Sequence, residues 1–114
     1  MDMQGYDRSK AVAYMLPKLD KSEFKPLAAQ AETLVAQAID ADFAYMRSAG
    51  ILTDDGLMGE AYYDDDDAFE FILDHMAKAR RTKDREMDHL AAFIDQYMDL
   101  QQQYLEEIGL LSWD

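Results

Sequence analysis

Cysteine is absent from the 114-residue chain, which excludes disulfides, thiol nucleophiles and thiolate metal sites. Glycine and proline are scarce, with five and two residues, so few positions can break a helix. No apolar run approaches the roughly 18 residues that a membrane helix requires. The first residues also lack the apolar core of a signal peptide. We therefore expect a cytoplasmic protein that makes no membrane contact.

The sequence also lacks the short motifs that mark common active sites. It has no glycine-rich phosphate loop, no Gly-x-Ser-x-Gly elbow and no HExxH element. Serine is sparse, so the sequence offers little evidence for a catalytic serine activated by a neighbouring base. These absences predict a protein that is not an enzyme and that uses no cofactor.

Acidic residues strongly outnumber basic ones, and the net charge is −13. Because this negative charge repels the phosphates of nucleic acid, we do not expect direct nucleic-acid binding. Basic residues are concentrated near two predicted helix connections: Lys18, Lys21 and Lys25 near the first, and Lys78, Arg80, Arg81, Lys83 and Arg85 near the second. This segregation either complements the helix dipoles or forms a docking surface for an acidic partner or a phosphate.

The length predicts a single domain, 1–114, and apolar residues recur at helical spacing. A long second helix is predicted from about Ser22 to Ala49, with Pro26 in its first turn. A fourth helix is predicted from about Lys83 to Ile108. The third helix is expected to begin at the four aspartates at 64–67, because carboxylates stabilise a helix start.

Two stretches of the chain match each other and predict the same helix ending. Tyr45 lies five residues before Gly50, and Tyr104 lies five residues before Gly109, 59 residues later. Glycine adopts the left-handed conformation that lets following amides reach the last carbonyls of a helix. We therefore predict that each glycine ends a long helix in this conformation.

The match continues upstream, where Tyr6 corresponds to Tyr63. The chain divides into pseudo-repeats 6–53 and 63–112, joined by an irregular acidic and aromatic linker, 54–62. The predicted fold is all-α: a compact four-helix bundle built from two short–long helical hairpins with approximate internal twofold symmetry.

The boundary between the third and fourth helices stays open at this point. The connecting sequence contains neither proline nor glycine and could continue as one helix. The repeat favours a turn, with Thr82 as the cap of the fourth helix.

The composition and patterning favour a protein–protein interaction or regulatory module that binds either another protein or a second copy of itself as a homodimer. The expected contact residues are the linker aromatics Tyr62 and Tyr63, the tail residue Trp113, and the basic residues Lys78, Arg80 and Arg81.

Two alternatives come from charged residues. The aspartates at 64–67 and the net charge suggest an acidic mimic of nucleic acid that inhibits a nucleic-acid-binding protein. His75, Glu86 and His89 suggest a metal-binding bundle, because Glu and His three residues apart share one helix face. The competing interpretation is that these three residues are ordinary solvated side chains.

Overall fold

The computed structural model describes residues 6–51 and 64–109. Four α-helices lie within these ranges: α1 (Arg8–Met15), α2 (Ala31–Ser48), α3 (Asp65–Arg80) and α4 (Met87–Glu107). Three 3-10 segments, Leu16–Lys18, Lys21–Gln30 and Asp84–Glu86, connect or precede them. The described ranges contain no strand, so the all-α prediction is confirmed, as is the number of helices.

Helix α1 is short because of residues at both of its ends. The Asp7 carboxylate accepts a hydrogen bond from the Lys10 amide at 3.1 Å and thereby caps the first turn. Pro17 has no amide to donate, and the chain tightens there into the 3-10 segment Leu16–Lys18. Local residues therefore set both ends of this helix.

The start of α2 is a correction to the predicted long helix. The chain forms the 3-10 segment Lys21–Gln30 instead of α-helix, and the backbone leaves helical geometry at Phe24, with φ −139° and ψ 44°. Phe24 is fully buried and its ring contacts Phe93 edge-on, with 5.3 Å between centroids. The burial of this ring and the missing amide of Pro26 together delay the α-helix until Ala31.

Both predicted glycine endings are confirmed. Gly50 and Gly109 have φ values of 77° and 82°. At the end of α2 the Gly50 amide donates to the Arg47 carbonyl at 3.2 Å, and the Ile51 amide donates to the Met46 carbonyl at 2.8 Å. This pair of bonds is the Schellman arrangement, which pairs the last carbonyls of the helix.

Helices α3 and α4 are separate. Arg81 adopts the left-handed conformation, and the Arg81 and Thr82 amides donate to the Lys78 and Ala77 carbonyls at 3.3 and 2.9 Å. An arginine therefore ends α3 with the same bonds that a glycine makes at the end of α2. The predicted turn is confirmed, whereas the predicted Thr82 cap is wrong: neither the Asp84–Glu86 segment nor α4 has a side-chain cap.

Helices α2 and α3 pack against each other in antiparallel directions. Near one end the Tyr45 ring contacts the Phe71 ring at 5.6 Å, and near the other an Arg80 guanidinium nitrogen donates to the Gln37 side chain at 3.1 Å. Helix α4 packs on the Lys21–Gln30 segment and on α3 and α1.

The core lies between all four helices of a globule measuring 38 × 26 × 25 Å. Its largest fully buried side chains are mainly aromatic and long aliphatic: Tyr97, Phe24, Phe43, Phe93, Met15, Leu34, Ile39, Ile72 and Met76. None of the described helices combines the length and the apolar character needed to cross a membrane.

Candidate functional site

The basic residues predicted as contacts have different surroundings. Arg80 is half-buried, and its guanidinium donates to the side chains of Gln37 and Gln30. These bonds tie the end of α3 to the start of α2 and to the preceding 3-10 segment. Arg80 therefore holds three elements together, which makes it a poor candidate for contact with a partner.

Lys78 is exposed and pairs with Asp74 one helical turn earlier, at 3.0 Å. The two side chains are 77% and 65% exposed, so solvent screens the pair and a competing anion can replace Asp74 at little cost. Lys78 therefore remains available to a partner.

Arg81, Lys83 and Arg85 are exposed along the connection between α3 and α4. None of them forms an ion pair or a hydrogen bond through its side chain with any part of the described chain. We use the name basic turn for Lys78, Arg81, Lys83 and Arg85. Two further exposed lysines, Lys21 and Lys25, lie on the neighbouring 3-10 segment that packs against α4.

The opposite end of α3 is acidic. The Asp64 carboxylate accepts bonds from the Asp66 and Asp67 amides at 3.0 and 3.1 Å, and the aspartates at 64–67 are all exposed. A helix of 16 residues is about 24 Å long. That distance exceeds the Debye length of about 8 Å at physiological ionic strength. A ligand at the basic turn is therefore largely screened from these aspartates.

Arg81 has an unusual backbone conformation. It is the one non-glycine residue with positive φ among the described residues, at φ 53° and ψ 46°. For residues other than glycine this conformation costs about 1–2 kcal/mol, because Cβ approaches the carbonyl oxygen. Gly50 and Gly109 occupy comparable positions at the ends of α2 and α4 without that cost.

The residues of the metal alternative do not come together. The exposed His75 ring stacks on Phe71, with 5.8 Å between centroids and 13° between planes. The His89 Nδ1 atom lies 3.5 Å from the Glu23 carbonyl, and Glu86 occupies the N-cap position of α4. The described part of the chain contains no group of three acidic or histidine side chains that could hold a metal ion.

A shallow groove of about 440 Å³ runs along α3 beside His75 and is lined by Phe71, Asp74, Lys78 and Ala79. It joins the basic turn through Lys78, and the stacked Phe71 and His75 rings form an aromatic edge. The groove is open to solvent, so it lacks the enclosure that a small-molecule site provides.

Two buried polar pairs cross the core. The Tyr97 hydroxyl donates to an Asp42 carboxylate oxygen at 2.7 Å, and the Tyr6 hydroxyl donates to the Gln101 side-chain oxygen at 2.7 Å. Asp42 and Gln101 are only 1% and 4% exposed. Gln101 lies four residues after Tyr97 and three before Tyr104, both of which face the core. The burial of Asp42 was missed, although it is four residues after Ala38 and three before Tyr45, both of which face the core.

Two tyrosines contact the residues that cap α1 and α3. The Tyr45 hydroxyl donates to the Asp64 carbonyl, and the Tyr104 hydroxyl donates to the Asp7 carbonyl, each at 3.4 Å. Burial raises the pKa of Tyr45 and of Tyr104 above the ordinary value of 10.0. Neighbouring carboxylates, among them Asp67 and Asp7, add to this increase in pKa.

The aromatic contact residues predicted from the sequence, Tyr62, Tyr63 and Trp113, lie outside the described residues. Of the predicted contact residues that are described, Lys78 and Arg81 are exposed and Arg80 is committed to internal bonds. Compared with known proteins, the chain matches no family model, no curated protein and no solved structure.

Proposed function

We propose that this protein is a helical protein-interaction module whose basic turn binds an acidic segment of a partner protein. The observation that carries the proposal is the separation of charge along α3, with exposed aspartates at its start and the basic turn at its end. In a protein of net charge −13, an exposed basic surface on which Lys78 alone has a carboxylate partner among the described residues offers a local contact for an acidic chain.

Each basic side chain contributes differently to such a contact. Lysine presents a mobile point charge, whereas arginine presents a planar group that can bind both oxygens of a carboxylate. The exposed side chains of Arg81, Lys83 and Arg85 can pair with acidic residues without breaking an internal ion pair. Because the contacts are exposed, their strength falls as salt rises.

Binding of a labelled glutamate-rich peptide, measured by fluorescence anisotropy at about 0.15 M salt, tests the proposal. We expect saturable binding that weakens with added salt and is lost in a Lys83→Glu/Arg85→Glu variant. The control is Lys10→Glu, which reverses the charge of one exposed lysine on α1, away from the basic turn. Equal binding by both variants, or no binding by the natural chain, would contradict the proposal.

Self-association is the other form that this function could take. Two whole copies, each of net charge −13, repel each other over their entire surfaces, whereas a short acidic segment of another protein meets mainly the local field of the basic turn. Light scattering over a concentration series separates the two cases. We expect a monomer; a homodimer would show that the partner is a second copy.

A second candidate function is an acidic mimic of nucleic acid, and a row of carboxylates on α4 favours it. Asp88, Asp95, Asp99 and Glu106 are exposed, and their spacings of seven, four and seven residues place them on one side of the helix. Asp95 and Asp99 lie about 6 Å apart along the axis of α4. Phosphates on one DNA strand are spaced about 3.4 Å along the duplex axis, so the two carboxylates match the separation of every second phosphate approximately.

Displacement of a short labelled DNA duplex from a basic DNA-binding domain tests this second candidate. The natural chain should release the duplex at low salt, and an Asp95→Asn/Asp99→Asn variant should release less. Asp84→Asn, outside the row, serves as the control. The mimic hypothesis fails if a large excess of the natural chain releases no duplex.

We also propose that the chain is one domain built from two equivalent halves, as the pseudo-repeats predict. The support is reciprocal: Tyr45 of the first half bonds the Asp64 carbonyl of the second, and Tyr104 of the second bonds the Asp7 carbonyl of the first. In the sequence match Tyr45 corresponds to Tyr104, and Asp7 corresponds to Asp64.

The aromatic contacts beside these bonds are also reciprocal. The Tyr45 and Phe71 rings lie 5.6 Å apart at 55°, and the Tyr104 and Tyr14 rings lie 5.4 Å apart at 52°. An experimental structure should allow 6–51 to superpose on 64–109 with Gly50 on Gly109, and thermal unfolding should be a single transition. Halves that fail to superpose, or two separate transitions, would contradict this arrangement.

A further inference from the structure

Arg81 combines a strained backbone with a side chain that forms no hydrogen bond or ion pair within the described chain. Its φ of 53° is the positive value that glycine adopts at the ends of α2 and α4. Its side chain is exposed and makes no hydrogen bond or ion pair with the described chain. Within the described part of the molecule, no hydrogen bond or ion pair of this side chain offsets the unfavourable conformation.

Complementing the helix dipole does not account for the arginine. A cation in the last turn of a helix is favourable, but Lys78 and Arg80 already occupy the last turn of α3. A glycine at position 81 would keep the same backbone bonds to the Lys78 and Ala77 carbonyls. The guanidinium is therefore the feature that glycine would remove.

We infer that Arg81 is the anchor of the basic turn, the residue that binds a carboxylate of the acidic partner segment through two parallel hydrogen bonds. This inference rests on the proposed function and deepens it, because it identifies which side chain recognises the acidic segment. Strain retained at an exposed position is typical of residues selected for binding at a cost in stability. Lys83 and Arg85 follow the anchor in the chain and supply additional positive charge.

Three substitutions at position 81 separate stability from binding. Arg81→Gly relieves the backbone strain and removes the guanidinium. Arg81→Asn tolerates the left-handed conformation without the charge, and Arg81→Lys keeps the charge without the planar group. The readouts are the thermal midpoint and the dissociation constant for the labelled glutamate-rich peptide, with Lys83→Gln as a matched loss of one charge.

We expect Arg81→Gly to melt at a higher temperature than the natural chain and to bind the peptide about tenfold more weakly, the loss typical of one bidentate charged contact. Arg81→Asn should bind as weakly, Arg81→Lys should recover only part of the affinity, and Lys83→Gln should lose less than Arg81→Gly.

The possible failures are distinguishable. A natural chain that does not bind the peptide overturns the proposed function and the anchor with it. A natural chain that binds, together with an Arg81→Gly variant that binds equally well, overturns the anchor alone. A lower thermal midpoint for Arg81→Gly overturns the premise that arginine is strained at this position.

Discussion

At the scale of single residues, the core depends on polar groups as well as on apolar packing. Asp42 and Gln101 are buried on α2 and α4, and each accepts a bond from a tyrosine of another part of the chain. The Gln101 Nε2 atom has no hydrogen-bond partner among the described residues. Such groups stabilise a fold only while their bonds are made, because an unpaired buried polar atom is costly.

Removing the Tyr97 hydroxyl tests the bond to Asp42. Tyr97→Phe deletes a donor 2.7 Å from a buried carboxylate oxygen, so we expect the free energy of unfolding to fall by about 1–3 kcal/mol. Tyr14→Phe is the control, since Tyr14 is only partly buried. Urea denaturation measures both changes. An unchanged unfolding free energy for Tyr97→Phe would show that Asp42 is stabilised by its other contacts.

The buried tyrosines should make the fold sensitive to alkali. Because burial raises the pKa of Tyr45 and Tyr104, the folded state holds their protons above pH 10.0, the ordinary pKa, where the unfolded chain releases them. Their contribution to stability is therefore fully present below about pH 10 and is lost as the pH rises through the folded pKa values.

Urea unfolding on both sides of about pH 10 measures this loss. We expect a Tyr45→Phe/Tyr104→Phe variant to lose less stability over this interval than the natural chain, because it lacks the two titrating hydroxyls. Other titrating groups act on both proteins alike, so the difference isolates the two tyrosines. Identical pH profiles would contradict the prediction.

At the scale of the elements, most helix boundaries follow from local residues, whereas the start of α2 depends on packing. The endings at Gly50 and Gly109 and the caps at Asp7 and Asp64 use residues within a few positions of each other. The start of α2 depends on Phe24, whose contact with Phe93 joins residues distant in the sequence.

Substitution of Gly109 tests the cost of a left-handed helix end. A Cβ atom at Gly109 would meet no atom within 4 Å, so only the φ of 82° opposes a side chain. We expect Gly109→Ala to lower the free energy of unfolding by about 1 kcal/mol and Gly109→Asn to lower it less. Chemical denaturation gives both values. The expected sign is opposite to that of Arg81→Gly, and equal signs would contradict the conformational argument.

At the scale of the whole molecule, charge is abundant and little of it is paired. The described chain shows two ion pairs, Arg8–Asp40 at 2.8 Å and Lys78–Asp74 at 3.0 Å, against a net charge of −13. Repulsion among unpaired carboxylates therefore opposes the folded state, and the acidic and basic ends of α3 leave the surface strongly uneven.

Added salt should stabilise the protein. Because screening weakens the general repulsion more than it weakens two exposed ion pairs, the thermal midpoint should rise by a few degrees between low salt and about 0.15 M sodium chloride. Arg8→Gln serves as a control that removes the pair with Asp40. A midpoint that falls with salt would show that specific ion pairs outweigh the net repulsion.

The sequence determined the features that depend on neighbouring residues. Helical spacing of apolar residues predicted four helices, and the glycines and aspartates predicted where helices end and begin. The spacing of Asp42 from Ala38 and Tyr45 also indicates a core-facing position, but residue type alone would not place it in the core, because aspartate is usually exposed.

Only the tertiary structure decided the features that join distant residues. In the folded chain α2 begins only at Ala31, and the Arg80 side chain joins α3 to α2. His75 and His89 lie in separate surroundings. The physical reason is that caps and stripes are set by contacts within one or two helical turns. A buried ring or a shared hydrogen bond instead depends on which surfaces the folded chain brings together.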